Sequence, residues 1–335
     1  MSRIVILGAG AWGTALSINL ANRGGHEVTL WSHSSAAAAA MRECRENATY
    51  LPSFHLPTEI VITSDPEEAV REAKIIVSVV PSEHLRATYE RFAPMLRSDQ
   101  TIVSGTKGLE DRTLLRMSEV IRETLGNRNI SLPCGVLSGP SFAQEVAAGS
   151  PTALTIASSD NALAVRIQRE FSGTTLRLYT NDDVVGVELG GALKNVIAIA
   201  SGVVTGLGLG HNTAAALITR GIAEITRLAV ACGGRRETLA GLSGIGDLVL
   251  TCTGSLSRNR TVGIELGRGR HLDEILAGLH GKVAEGVRTT FAALGLANKH
   301  GIEMPITEQM AAILGQRKSP VDAMRELMTR PGRDE

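Results

Sequence analysis

The feature that most constrains this chain is a glycine-rich loop near its start, Gly8-Ala9-Gly10-Ala11-Trp12-Gly13. An apolar run predicts a strand at Arg3–Leu7, and a helical pattern follows over Trp12–Asn22. A Gly-x-Gly-x-x-Gly turn between a strand and a helix is typical of dinucleotide-binding domains. The first glycine permits a tight turn, the second lets backbone amides approach a pyrophosphate, and the third lets the helix pack on the sheet. We therefore expect the loop to bind an NAD-type dinucleotide through Gly8, Gly10 and Gly13.

The first 180 residues alternate short β-branched runs with helical patterns. Strands are predicted at Arg3–Leu7, Glu27–Trp31, Ile60–Thr63, Ile75–Val80, Thr101–Ser104, Cys134–Leu137, Ala153–Ala157 and Leu176–Tyr179. Helices are predicted at Trp12–Asn22, Ser34–Glu46, Ser82–Arg91, Leu114–Leu125 and Ala162–Phe171. Continuous apolar strands separated by helices indicate a parallel sheet covered on both faces, which is a doubly wound α/β fold of the Rossmann type.

The pattern changes near residue 181, after which every ordered segment is predicted to be helical. These segments are Val184–Val204, Asn212–Cys232, Arg235–Gly241, Gly246–Cys252, Asn259–Gly267, Leu272–Leu279, Gly286–His300 and Pro305–Leu314. We therefore predict a dinucleotide-binding domain over residues 1–180 and an all-α substrate and catalytic domain over residues 181–335.

Composition narrows the class of partner. The chain carries 34 basic and 34 acidic residues and only 3% aromatics, a balance that argues against nucleic acid as a ligand.

The four cysteines, at positions 44, 134, 232 and 252, show no zinc spacing, so we expect no metal and free thiols in a reducing cytoplasm. The longest apolar stretch, Val196–Gly210, is shorter than the roughly 20 residues of a membrane span, so no span is expected. The sequence leaves the oligomeric state open, and a homodimer is compatible with it.

The end of the second strand bears on the choice of cofactor. An NAD-selective site usually has an acidic residue there, bonded to the ribose 2′-hydroxyl. This chain has Trp31-Ser32-His33 instead. Because no carboxylate would repel a 2′-phosphate, we predict that NADPH is accepted, and the sequence leaves its preference over NADH open.

Several polar loops follow predicted strands, at the edge where open α/β sheets bind ligands. They are Val79–Ser82, Ser104–Gly108 and Leu137–Ala143. Lys107, set among small residues, is a candidate anion ligand. The alternative is an ordinary surface lysine.

Two features of the helical half need an explanation. Lys194 lies in a helix that is apolar or small almost all round, so it is either functional, or it reaches the surface or pairs with Glu188. Ser257 is a good N-cap for a helix starting Arg258-Asn259-Arg260. Such a helix start suits a phosphate, although solvated arginines beside an ordinary cap would look the same.

Taken together, these motifs resemble those of the bacterial NAD(P)-dependent glycerol-3-phosphate dehydrogenases, over essentially the whole chain. The similar segments are Gly8–Leu16, Asn47–Pro52, Thr106–Gly108, Ser138–Val146, Glu188–Asn195, Gly246–Asp247, Ser257–Arg260 and Lys282–Val287. The resemblance implies a 6-phosphogluconate-dehydrogenase-like helical domain. It also implies reversible oxidation of sn-glycerol 3-phosphate to dihydroxyacetone phosphate with NAD(H) or NADP(H), which supplies phospholipid synthesis.

The resemblance also implies roles for individual residues. Lys194 would be the proton acceptor. The substrate would be surrounded by Lys107, Gly139, Ser141, Lys194, Asp247, Ser257, Arg258 and Asn259. The cofactor would be lined by Ala11, Trp12, His33, Tyr50, Lys107, Ala143, Arg258, Val283 and Glu285, in addition to the three loop glycines.

The sequence departs from the family pattern at three positions. Ala11 replaces a small hydroxyl residue, His33 stands where arginine is common, and Arg288 stands where an aromatic is expected. Two alternatives stay open from the residues alone. One is a related two-domain hydroxyacid dehydrogenase or ketopantoate-type reductase, which would act on a carboxylate. The other is a non-catalytic dinucleotide-binding redox sensor.

Overall fold

A computed structural model describes residues 2–278 and 284–332. Contacts between residues divide the chain into two units. The first comprises Met1–Lys107 and Leu115–Glu188, and the second comprises Gly108–Leu114 and Leu189–Glu335. The functional division at residue 181 stays a prediction.

The first unit is built on an eight-stranded sheet and a two-stranded hairpin. Its strands are β1 (Ser2–Leu7), β2 (His26–Trp31), β3 (Glu46–Asn47), β4 (Leu51–His55), β5 (Val61–Thr63), β6 (Ile75–Ser78), β7 (Thr101–Ser104), β8 (Cys134–Ser138), β9 (Thr152–Ala157) and β10 (Leu176–Asn181). The large sheet has the order β10-β9-β8-β7-β6-β1-β2-β5, and β3 pairs with β4. All eight predicted strands are therefore present in the large sheet, whereas the hairpin was not predicted.

Helices cover both faces of this sheet. They are α1 (Ala11–Arg23), α2 (Ser35–Cys44), α3 (Pro66–Val70), α4 (Ser82–Phe92), α5 (Met117–Gly126), α6 (Ala143–Ala147) and α7 (Asn161–Phe171). Alternate residues of β1 enter different cores: Ile4 and Ile6 pack with Leu16 of α1, and Val5 and Leu7 pack with Phe92 of α4. This two-sided burial explains why the strands are apolar throughout.

The expectation of a wholly parallel sheet is wrong at one pair, because β8 and β9 run antiparallel. The connection between them contains only the five-residue helix α6, and α6 packs against α1. A parallel return usually needs a helix that runs back along the length of the strands, whereas a five-residue helix rises only about 7.5 Å. The chain instead enters β9 near the edge at which it left β8.

Two predicted helices of the first unit were too long. The helix predicted to end at Glu46 ends at Cys44, because Glu46 already belongs to β3. The helix predicted to start at Leu114 starts at Met117, because Leu114 has a positive φ of 61° that no right-handed helix contains.

Both outer strands of the sheet have main-chain groups bonded by side chains. Leu178 of β10 donates its N–H to Ser172 Oγ at 3.1 Å and accepts a bond from Gln168 Nε2 at 2.9 Å. At the opposite edge, Arg42 donates to the carbonyl of Ile62 in β5 at 3.1 Å.

The remaining helices are α8 (Val184–Gly206), α9 (His211–Ala231), α10 (Arg236–Leu239), α11 (Asp247–Thr253), α12 (Arg258–Gly267), α13 (Leu272–Ala277), α14 (Glu285–His300), α15 (Pro305–Leu314) and α16 (Pro320–Met328). Among the described residues after Val184 there is no strand, as predicted. Helix α16 was not predicted. The predicted helix at Gly246–Cys252 begins one residue later, because Leu242–Gly246 forms a π-helical turn.

Helix α8 is by itself long and apolar enough to cross a membrane. The prediction that the longest apolar stretch is too short for a membrane span was therefore wrong. The helix starts twelve residues before Val196. However, 89% of its most apolar window is buried inside the protein, which is typical of a core helix.

Candidate active site

The glycine-rich loop has the geometry that a bound dinucleotide requires. Gly8 has φ +118°, and a Cβ there would lie 3.0 Å from the carbonyl oxygen of Val79. A Cβ on Gly13 would lie 2.0 Å from the carbonyl oxygen of Gly8. A Cβ on Gly10 would meet no atom within 4 Å, so the space in front of the loop is open. Gly8 and Gly13 are thus required by the turn, and Gly10 leaves room for a ligand.

The loop leads directly into α1, whose N-cap is Gly10. The first amides of a helix have no partner within the helix, and its dipole places partial positive charge there. Ala11 and Trp12 are the first two residues of α1 and are half-buried. This arrangement suits a pyrophosphate.

Asn47 of the hairpin fixes the glycine-rich loop from outside. Its Nδ2 donates to the carbonyl oxygen of Ala9 at 2.9 Å and to Thr14 Oγ1 at 2.8 Å. Its Oδ1 accepts from the amide of Tyr50 at 3.3 Å. Asn47 therefore ties the hairpin, with the predicted cofactor residue Tyr50, to the loop. The sequence comparison marked this segment but gave Asn47 no role.

The end of β2 is free of carboxylates, as the sequence shows. Ser32 is buried and His33 is exposed, and Ser34 caps α2 by accepting from the amide of Ala37 at 3.2 Å. An exposed imidazole beside a helix start is compatible with a phosphate on the ribose.

Three of the predicted substrate residues meet in the first unit around the carbonyl oxygen of Gly139. Lys107 Nζ donates to it at 3.4 Å, and Ser141 Oγ donates to it at 3.1 Å. Gly139 has φ +134°, which disfavours a side chain. Ala143, a predicted cofactor residue, is the first residue of α6 just beyond this turn.

A buried polar cluster forms the centre of the second unit. Lys194 of α8 is 8% exposed and makes an ion pair with Asp247 of α11, which is 0% exposed. Lys194 Nζ also donates to Thr251 Oγ1 at 2.9 Å, and Thr251 Oγ1 donates to the carbonyl oxygen of Asp247 at 2.6 Å. Lys194 is therefore held by two partners rather than reaching the surface, and Glu188 pairs with Arg116.

Thr251 was missed by the sequence analysis. It lies four residues after Asp247 in α11, so both residues face the same side of that helix. This four-residue spacing from Asp247 is the sequence feature that could have identified Thr251.

A second cluster joins α8, α12 and α14. Ser257 Oγ accepts from the amide of Arg260 at 3.2 Å, which confirms Ser257 as the N-cap of α12. Asn259 Oδ1 accepts from the amide of Gly286 at 3.0 Å. A Cβ on Gly286 would lie 2.7 Å from the carbonyl oxygen of Asn195. The start of α14 is thus held closely against the helix that carries Lys194.

The remaining predicted residues lie beside this cluster or outside the described chain. Arg258 is exposed at the start of α12, and Glu285 is the first residue of α14. Val283 lies outside the described residues. Within the described part of the chain, no group of three His, Cys, Asp or Glu side chains could hold a metal ion.

None of the four cysteines, all of which lie among the described residues, forms a disulfide. Cys252 is buried in α11, and burial raises the pKa of its thiol to about 12, although Lys194 and Arg260 act in the opposite direction. Burial likewise raises the pKa of Cys134 to about 12. Both thiols are therefore protonated at neutral pH and poor nucleophiles.

Two models of one protein family together match most of the chain. Residues 3–164 match the family model of the NAD-dependent glycerol-3-phosphate dehydrogenase N-terminus, and residues 183–325 match that of the C-terminus. A curated glycerol-3-phosphate dehydrogenase [NAD(P)+] of Acidobacterium capsulatum is 64% identical, with 100% of each chain covered.

The solved structures that resemble this chain include a glycerol-3-phosphate dehydrogenase. The glycerol-3-phosphate dehydrogenase of Coxiella burnetii superposes with a TM-score of 0.93 at 42% identity, covering 98% of this chain and 99% of that one. A ketopantoate reductase of Ralstonia eutropha reaches a TM-score of 0.61 at 16% identity over 96% of this chain and 99% of that one, which shows a common fold alone.

Proposed function

We propose that Lys194 exchanges a proton with the substrate oxygen during the reaction that this chain catalyses. The chain belongs to the NAD-dependent glycerol-3-phosphate dehydrogenase family. The activity is reversible hydride transfer between NAD(P)H and dihydroxyacetone phosphate. The observation that carries the proposal is the burial of Lys194 between Asp247 and Thr251.

Reduction of a ketone to an alcohol needs a hydride and a proton. When bound, NAD(P)H supplies the hydride. The Lys194 ammonium gives its proton to the substrate oxygen as that oxygen becomes a hydroxyl, and in the reverse direction the neutral amine takes it back. Asp247 and Thr251 orient Nζ through their hydrogen bonds, so that the proton is delivered from a fixed position.

We place the substrate phosphate at the start of α12. Ser257, Arg258 and Asn259 occupy its N-cap and first turn, where the helix dipole and a guanidinium favour an anion. Lys107, with Gly139 and Ser141, would supply further donors. The cofactor would lie on Gly8, Gly10, Ala11, Trp12 and Gly13, with His33, Tyr50, Lys107, Ala143, Arg258, Val283 and Glu285 as further contacts.

The substrate class is tested by one assay. We expect oxidation of NADPH and NADH that depends on dihydroxyacetone phosphate and is negligible with 2-keto acids. The opposite preference would favour the hydroxyacid dehydrogenase alternative. NADPH binding without turnover of any triose phosphate would favour the redox sensor.

The role of Lys194 is tested by Lys194→Met combined with Asp247→Asn, since the single variant would leave a buried carboxylate without its cation. We expect turnover to fall by about 10²- to 10⁴-fold, the usual contribution of a general acid or base, with the NADPH dissociation constant unchanged. Lys299→Met, in the last turn of α14, is the exposed control. Near-normal turnover in the double variant would remove Lys194 from the reaction.

The phosphate site is tested by Arg258→Ala. We expect KM for dihydroxyacetone phosphate to rise by about tenfold to a hundredfold, as for the loss of a charge-assisted hydrogen bond. Arg268→Ala, at the other end of the same helix, is the control. An unchanged KM in Arg258→Ala would place the phosphate elsewhere.

NADPH is proposed as the preferred cofactor because no carboxylate follows β2. Comparison of kcat/KM for NADPH and NADH tests this. A strong preference for NADH would overturn it.

We further propose a cytoplasmic homodimer, with residues 1–180 binding the dinucleotide and residues 181–335 binding the substrate. The support for a cytoplasmic location is that the four cysteines form no disulfide with one another. Exposed apolar side chains such as Leu209 and Phe291 support self-association, since a second copy would cover them. Sedimentation velocity over a range of concentrations tests the dimer, and a monomer at all concentrations would contradict it.

A further inference from the structure

The segment Gly108–Leu114, which follows β7, packs as part of the helical unit. We call it the docked segment. It starts immediately after Lys107, and its first residue, Gly108, has φ +131°. The docked segment therefore leaves the sheet directly after a predicted anion ligand.

The docked segment ends on a strained residue. Leu114 has φ +61°, a left-handed backbone conformation that residues with a side chain disfavour. Its amide donates to the carbonyl oxygen of Glu110 at 2.8 Å, which closes a turn. Strain of this kind persists only where surrounding contacts impose it, and it concentrates at functional positions.

The side chain of Leu114 packs against a glycine on α14. A Cβ on Gly295 would lie 3.1 Å from both terminal carbons of the Leu114 side chain, so the leucine fills the space that the missing side chain leaves. Asp111 and Arg288 face each other at 4.0 Å in the same contact. Arg288 and Gly295 are seven residues apart and therefore share one face of α14. Arg288 is also one of the three departures from the family pattern.

The same helix begins at Glu285, a predicted cofactor residue. The docked segment thus connects the backbone of Lys107 to the helix whose first turn is assigned to the cofactor. An exposed ion pair contributes little, so the docking depends on apolar contacts such as that of Leu114 with Gly295.

We propose that Leu114 and Gly295 form a positioning joint, which holds the docked segment on α14 and so fixes the backbone of Lys107 for binding the phosphate-bearing substrate. The inference rests on the proposed role of Lys107. Neither residue of the joint contacts the reacting atoms in this mechanism, so both act through Lys107.

The test compares Leu114→Gly with Gln316→Gly. Glycine accepts the positive φ at both positions, so both variants remove a strained residue, but only the first removes the docking side chain. Gln316 is exposed and follows α15. We expect Leu114→Gly to raise KM for dihydroxyacetone phosphate about tenfold, with kcat within twofold, and to speed amide hydrogen exchange at residues 106–109. Gln316→Gly should change neither.

Gly295→Ala provides a second approach, because its methyl group would push against Leu114. We expect KM to rise in this variant too. In the double variant Leu114→Ala/Gly295→Ala, the smaller side chain at position 114 leaves room for the added methyl group. The rise in KM should therefore be smaller than the product of the rises in Leu114→Ala and Gly295→Ala measured separately.

Lys107→Ala distinguishes a failure of the joint from a failure of the proposed role of Lys107. If it raises KM while Leu114→Gly lowers stability but leaves KM unchanged, the joint is structural only and this inference is overturned. If Lys107→Ala itself leaves KM unchanged, the role of Lys107 is wrong and the inference fails with it. A rise in KM in both variants supports the joint.

Discussion

At the scale of single residues, buried polar side chains hold the candidate site in place. Asn47 bonds the cofactor loop at Ala9 and α1 at Thr14. Thr251 bonds both members of the central ion pair, and Asn259 bonds the first turn of α14. Each replaces water lost on burial with a directed bond, so removing one leaves a buried group unpaired. The site is thus positioned by neutral groups around a few charged ones.

Asn47→Ala is expected to loosen the glycine-rich loop, because the Ala9 carbonyl loses its donor. The dissociation constant of NADPH should rise about tenfold, with kcat within twofold. Fluorescence titration measures the first and steady-state kinetics the second. Asn19→Ala is the matched control, since Asn19 is buried in α1 but bonds Thr175 instead of the loop. Equal cofactor affinity in both variants would contradict the role of Asn47.

At the scale of elements, the helix carrying Lys194 and the helix carrying the proposed phosphate site pack backbone against backbone. Gly202 and Gly206 of α8 face Gly263 and Gly267 of α12, and their α-carbons would contact any added Cβ at 2.8–2.9 Å. Four glycines weaken isolated helices, yet here they allow an approach that side chains would prevent. This close contact fixes the start of α12 relative to α8.

Gly202→Ala is expected to destabilise the protein strongly, because its Cβ would lie 2.1 Å from the carbonyl oxygen of Arg260. Overpacking usually costs about 1–3 kcal/mol, and contact with backbone should reach the upper end. Urea unfolding measures the change. Gly126→Ala in α5 is the control, since a Cβ there meets no atom within 4 Å and should leave stability unchanged or improved. Similar losses in both variants would contradict the close approach.

At the scale of the whole molecule, each unit contains a buried glutamate that accepts hydrogen bonds from a helix start. Glu188 accepts from the amide of Ser118 in α5 at 2.8 Å, and Glu224 accepts from the amide of Ile306 in α15 at 2.6 Å. Burial raises the pKa of both groups, that of Glu224 to about 7, against the effect of their hydrogen bonds. Stability therefore depends on pH in both units.

The sign of this dependence follows from the raised pKa of Glu224. Between about pH 4.5 and 7 the folded state holds a proton that the unfolded state has released, so rising pH lowers stability until about pH 7. The loss is about 3 kcal/mol, at about 1.36 kcal/mol per pKa unit. Glu224→Gln cannot titrate, so the stability of the wild type relative to this variant should fall from pH 5 to pH 7.5 in urea unfolding. A constant difference would contradict the raised pKa.

Much of the fold could be predicted because local patterns determine it: β-branched runs form the eight strands, and the glycine spacing marks the first turn. The antiparallel direction of β9 could not be predicted, since it depends on where α6 packs. In the site, Lys194 was conspicuous as a charge in an apolar helix. Its partner Asp247 lies 53 residues away, and no local pattern pairs them. The conformation of Leu114 was also hidden, because leucine disfavours it and the glycine against which it packs is far away in the sequence.

The side chains that bond the outer strands have a consequence for the protein at high concentration. An outer strand normally offers a row of unpaired amides and carbonyls, which neighbouring molecules can extend into a shared sheet. Gln168 and Ser172 occupy such groups on one edge, and Arg42 occupies one on the other. These three side chains thus act against aggregation, and the sheet is kept from growing beyond its own chain.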